Sequence, residues 1–160
     1  MKYYLDITLL PDAEADLGFL WQKLYQQVHI ALAENKIAEN TSAIALTFPQ
    51  YSLSKNKEGK FPLGNKLRLF APTQKQLDKL DIENWLKRFS DHTHITSVKI
   101  VPDAVNEFAC VKRKQCKTNL SRLARRRAKR KGETFDIALQ HYASFNDEET
   151  DLPFINVNSM

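Results

Sequence analysis

Four histidines are the side chains of this chain best suited to move a proton near neutral pH: His29, His92, His94 and His141. His92 and His94 stand in "DHTH", a turn before a strand-like run, where two imidazoles could share a metal. No further ligands cluster nearby, so no metal site is expected. His141 lies in a polar stretch without periodicity. His29 falls in a predicted helix, at the flank of its apolar face rather than the centre. Taken alone, that position reads as a boundary histidine packed against a sheet. Cys110 and Cys116 fit neither a disulfide framework nor a zinc pattern, and read as free thiols in a reducing cytoplasm.

A second chemistry is written in charge. The stretch "VKRKQCKTNLSRLARRRAKRKGE" holds eleven Lys or Arg between Lys112 and Lys131 and no acid. The whole chain has 24 basic and 19 acidic residues, so without this run 13 basic residues face 19 acidic ones. A mildly acidic body therefore carries one dense cationic element, which implies a polyanion as partner. The spacing predicts a helix over Asn119–Lys131, capped by Thr118 or Asn119 and ended by Gly132. At about 100° per residue, Leu120, Leu123, Ala124 and Ala128 gather on one side. Arg122, Arg125, Arg126, Lys129 and Arg130 gather on the other, and only Arg127 lies in the apolar seam. DNA, RNA, an anionic membrane or an acidic protein could meet such a face. A membrane-surface helix needs a heavier apolar stripe than two Leu and small Ala. Arginine predominates, which suits phosphate. Just upstream, Arg113 and Gln115 stand at i, i+2 in an extended segment, so both can point the same way. Arg matches the guanine edge and Gln the adenine edge.

The elements that must position these groups are legible as periodicity. "YYLDITLL" reads as a strand stopped by Pro11. The helix that follows repeats Leu17, Leu20, Trp21, Leu24, Val28, Ala31 and Leu32 on one face. Ala43–Phe48 and Lys66–Ala71 read as strands. Thr73 and Gln76 form a capping box ahead of a helical stretch that breaks near Asp81. Ile95–Val101 reads as the last strand. The order β-α-β-β-α-β is that of a ferredoxin-like α+β domain over residues 1–102. Residues 103–160 are expected to form a smaller, nucleic-acid-binding domain around the basic helix. With 42% hydrophobic residues the chain can bury a core, and it has no apolar run long enough to cross a membrane.

The chain resembles the CRISPR repeat-processing endoribonucleases of subtype I-F systems, the "Csy four" family. The resemblance lies in "YYLDITLLPD", the first helix with His29, "IALTFP", "LGNKLRL", "VPD", the spacing of "VKRKQCKTNLSRLARRR" and the terminal "DLPFINVNS". It implies binding of a short hairpin in the CRISPR repeat and a single cut at the 3′ base of its stem, without metal or other cofactor. It implies that His29 is the general base and that Ser159 orients the attacking ribose. It implies that Arg122, Arg125, Arg126, Lys129 and Arg130 contact phosphates along the stem, while Arg113 and Gln115 read purine edges at its base. Ala124 stands where the family often has another arginine, and Lys129 replaces one, so the contact set is altered. Other CRISPR proteins of the surveillance complex are the implied protein partners, and the cytoplasm the compartment. The family continues for a few dozen residues past the position of Ser159. The chain is therefore expected to be C-terminally incomplete, with an apolar strand, "LPFINV", wanting partners, and to bind better than it cuts. The alternative is a non-catalytic hairpin-RNA-binding protein on the same body.

Overall fold

The computed structural model describes residues 1–39, 41–52, 61–104, 114, 119–145, 150 and 152–155. The chain forms two compact units, one of residues 1–109 with 153–160 and one of residues 110–152. The first unit is α+β, and its centre is the pair of strands β1 (Tyr3–Leu9) and β5 (Lys66–Ala71). Alternation decides which way their side chains point. Leu5, Ile7 and Leu9 of β1 and Leu67, Leu69 and Ala71 of β5 are buried together, with Leu5 opposite Leu69 and Ile7 opposite Leu67.

Helix α1 (Leu17–Glu34) lays Leu20, Trp21, Leu24, Val28 and Ala31 on that apolar face, the 3–4 spacing of a single buried stripe. The Asp16 carboxylate caps it by accepting from the Phe19 N–H at 3.0 Å. The Trp21 indole N–H donates to the Gly64 carbonyl at 2.7 Å, so this buried ring keeps its polar end satisfied. Leu77, Leu80, Ile82 and Leu86 complete the core from helices α2 (Gln74–Leu80) and α3 (Ile82–Trp85) and the turn after them. Asp81 separates the two helices in a left-handed conformation, φ 48° and ψ 50°.

Three further strands pair in the main sheet: β4 (Ala45–Thr47), β6 (Thr93–Ile95) and β7 (Lys99–Ile100). Their order is β4-β5-β1-β6, with β7 also on β1, and every pairing is antiparallel. The single strand expected over Ile95–Val101 is thus two short pieces. Ile7 pairs with Ile95 and Tyr3 with Ile100, so four steps along β1 face five steps of its partner. The extra residue is a bulge. Thr96 holds it, its hydroxyl accepting from the Asp6 N–H at 3.0 Å and its N–H donating to the Asp6 carbonyl at 2.9 Å. A separate small hairpin, β2 (Lys36–Ala38) with β3 (Thr41–Ser42), is fully exposed and was not anticipated from the pattern. Residues 152–155 carry no strand pairing; Ile155 instead packs half-buried on the first unit's core.

One buried acid tests the sheet. Asp6 of β1 is 6% exposed and lies opposite Arg68 of β5. Arg68 donates to it twice, Nε at 2.6 Å and Nη2 at 3.0 Å, and Lys66 Nζ stands 3.7 Å away. Burial pushes the Asp6 carboxyl up, but the hydrogen bond and charge of Arg68, with Lys66 behind them, hold it below the usual carboxylate range. A depressed folded pKa stabilises the fold above the unfolded value, about 3.9, and that contribution is lost as pH falls through the folded one. Asp6→Asn is therefore expected to cost about 1–3 kcal/mol at neutral pH. It is also expected to flatten the acid limb of the unfolding curve below about pH 4. An acid limb of unchanged steepness in thermal unfolding would assign the pH dependence to other carboxylates.

Candidate nucleic-acid interface

The second unit is built on helix α4 (Leu120–Lys131) and helix α5 (Phe135–Gln140). Each end of α4 is set by a left-handed residue. Asn119, φ 61°, accepts from the Arg122 N–H at 3.0 Å through its side chain. Gly132, φ 68°, closes the last turn with its N–H on the Ala128 carbonyl at 2.9 Å. Glycine suits that position because only it takes positive φ without strain. Lys129, Arg130 and Lys131 in the final turn meet the negative end of the helix dipole.

Ala124 is fully buried, and Leu120, Leu123 and Ala128 are half-buried. Arg122, Arg125, Arg126, Lys129 and Arg130 are all exposed. They span roughly 140° of the helix circumference. Like charges fall at i, i+4 in the pairs 122/126, 125/129 and 126/130, and each pair costs a few tenths of a kcal/mol. No acidic residue in α4 offsets them. The helix therefore keeps a repulsive face that a polyanion would relieve. The buried place of Ala124 gives a physical reason why this position does not join the cationic face.

Arg127 behaves differently from its neighbours. It turns inward and forms a forked ion pair with Glu133, Nε to Oε1 at 2.5 Å and Nη2 to Oε2 at 3.5 Å. Both side chains are mostly buried, 21% and 19% exposed. The pair ties the end of α4 to the corner that leads into α5. Glu133 is the signal that sequence reading passed over; the inward direction of Arg127 was legible, its partner was not.

His29 lies on the first unit, one residue after fully buried Val28, and is itself exposed. The packed boundary position expected from periodicity is not what α1 adopts. The rotation of the helix leaves the imidazole exposed. His92 is engaged elsewhere, with Nδ1 3.2 Å from an Asp12 carboxylate oxygen, while His94 is exposed on β6. His141 ends α5, edge-on to the Tyr142 ring. Among the described residues no three His, Cys, Asp or Glu side chains gather as a metal site. Also among them, no helix is long and apolar enough to cross a membrane. Arg113, Gln115 and Ser159 lie outside the described residues.

An α+β body with an antiparallel sheet, carried in one chain with a helix of almost pure cationic face, defines the structural class. Within that class, the chain belongs to the family described as CRISPR-associated protein (Cas_Csy4), whose model matches residues 4–160. It is similar to the "CRISPR-associated endonuclease Cas6/Csy4" of Escherichia coli (strain UTI89 / UPEC), 31% identical over 160 residues, covering 100% of this chain and 79% of the relative. The protein of the same name from Pseudomonas aeruginosa (strain UCBPP-PA14) is 30% identical over 159 residues, covering 99% of this chain and 79% of the relative.

Proposed function

We propose that this protein processes CRISPR RNA: it binds the hairpin of the CRISPR repeat and cuts the precursor at the 3′ base of the stem. The observation that carries the reading is the sorted cationic face of α4 in a chain whose family match runs through both units. The order β4-β5-β1-β6, with α1 and α2 sharing one core, supports a ferredoxin-like body as the platform. Arg122, Arg125, Arg126, Lys129 and Arg130 hold phosphates along the stem. Arg113 and Gln115 read a guanine and an adenine edge at its base. The RNA major groove is ordinarily too deep for side chains, and a short stem with an open end relaxes that limit.

His29 takes the proton of the 2′-hydroxyl beside the scissile phosphate. The 2′-oxygen then bonds to phosphorus as the bond to the 5′-oxygen breaks, and the departing 5′-oxygen takes a proton from solvent to become a 5′-hydroxyl. Ser159 orients the ribose for in-line attack. The nucleophile is part of the substrate, so neither a metal-activated water nor a cofactor is required. The product stays bound and enters a complex with other subtype I-F proteins in the cytoplasm.

The test is the chemistry of the ends. Cleavage of a repeat hairpin in EDTA is expected to leave a 2′,3′-cyclic phosphate upstream and a 5′-hydroxyl downstream. Magnesium-dependent cleavage leaving a 3′-hydroxyl and a 5′-phosphate would replace this mechanism with a metal-assisted hydrolysis. Tight hairpin binding with no cleavage under either condition would favour the non-catalytic reading.

A further inference from the structure

The sheet of the first unit has a second face, turned away from α1 and α2, and it is neither apolar nor bland. Strand register places Tyr4 directly opposite Phe70, with Lys99 beside Tyr4 on the other edge. The next row sets Asp6 opposite Arg68, and Lys66 follows two residues along β5. Tyr4 and Phe70 lie outside the apolar core cluster and are half-buried, while Lys99 is exposed. Their ring centroids are 5.9 Å apart at 47°, and the Arg68 guanidinium lies over the Tyr4 ring at 4.2 Å. Asp6, the one acid in this lattice, is buried beneath Arg68 and Lys66 and presents no free negative charge.

The result is an aromatic pair on the sheet, covered by the Arg68 guanidinium and flanked by lysines, with the one acid already paired. Protein interfaces deplete charge at their core. Here charge stands directly beside the rings. Aromatic and guanidinium planes on a sheet, with cations within reach, match a stacked base and its phosphate. We propose that this face of the sheet binds single-stranded RNA, with a base stacked on the Arg68 guanidinium where it covers Tyr4, a second against Phe70, and the backbone along Lys66 and Lys99. None of these groups belongs to α4, and only the choice of RNA over DNA rests on the proposed function.

The experiment uses the full chain carrying Arg125→Ala and Arg126→Ala, so that α4 contributes little to binding. The probe is an unstructured RNA of about eight nucleotides, within the ~4–16 that single platforms occupy, bearing 4-thiouridine for photo-crosslinking. Crosslinks are expected on Tyr4 or Phe70. The pair Tyr4→Leu and Phe70→Leu keeps apolar bulk and should weaken the oligonucleotide about tenfold, the equivalent of ~1.4 kcal/mol, within the range of one stacked base. Unchanged thermal unfolding certifies that this variant folds. Lys99→Glu, at an exposed position that folding tolerates, should weaken the oligonucleotide severalfold in the same background. In the otherwise wild-type chain it should leave hairpin affinity unchanged. A DNA oligonucleotide bound as tightly as the RNA would overturn the choice of RNA. Crosslinks confined to other segments, or undiminished oligonucleotide affinity in folded Lys99→Glu, would overturn the site itself, whatever the hairpin assay reports.

Discussion

Replacing His29 by alanine is expected to slow hairpin cleavage by about 10²–10⁴-fold, the usual contribution of a positioned general base. Binding of the uncleaved hairpin should be unchanged, because the proposed phosphate contacts lie on α4 and not on α1. The fold should also be indifferent. His29 is exposed, and surface substitutions away from special features stay within about 0.5 kcal/mol. Single-turnover cleavage and filter binding, measured on the same preparation, separate the two effects. Added imidazole should restore part of the lost rate in His29→Ala, which a merely structural histidine would not permit. A variant that cleaves at the parent rate removes His29 from the mechanism. One whose cleavage and binding fall together makes it a binding residue.

The second large effect is on affinity and its response to salt. If five cations of α4 each neutralise one phosphate, log affinity should fall against log salt with a slope of about −3.5 to −4.5. Between 50 and 200 mM salt that is roughly a hundredfold to several hundredfold loss. Arg125→Ala with Arg126→Ala should flatten the slope by about 1.4–1.8. Arg127→Ala is the informative contrast. Arg127 is turned inward onto Glu133, so its loss should lower affinity by loosening α4 from the corner before α5, with the slope unaltered. A slope that ignores the 125/126 pair would place the phosphates elsewhere on the chain. A slope that drops for Arg127→Ala would mean that the ion pair opens on binding.

Part of this architecture was written locally. The stripe Leu20, Trp21, Leu24, Val28 and Ala31 depends only on helical spacing, and so does the sorting of cations away from Ala124 and Ala128 on α4. The stops at Asp81 and Gly132 are equally local, since each follows from the backbone freedom or capping chemistry of one or two residues. That the cationic face suits a polyanion was legible in its charge and spacing, whereas the catalytic role given to His29 and the hairpin given to that face came from resemblance, because four histidines do not by themselves distinguish a catalyst from a surface.

What the sequence determined by itself was therefore what neighbours along the chain can decide: where the strands and helices of the body lie, which stripe of α1 is apolar, and that the positive charge is concentrated on one short helix. The tertiary structure decided what depends on distant partners. It set Arg68 opposite Asp6, 62 residues away, and Tyr4 opposite Phe70, which turns the polar positions of two strands into one cationic, aromatic surface. It inserted the bulge between Thr96 and Lys99 and divided the last strand. It also rotated α1 so that His29, on the flank of the stripe, faces solvent. The reason is physical: period and capping act over three or four residues, whereas register and helix rotation are settled only when the whole core packs.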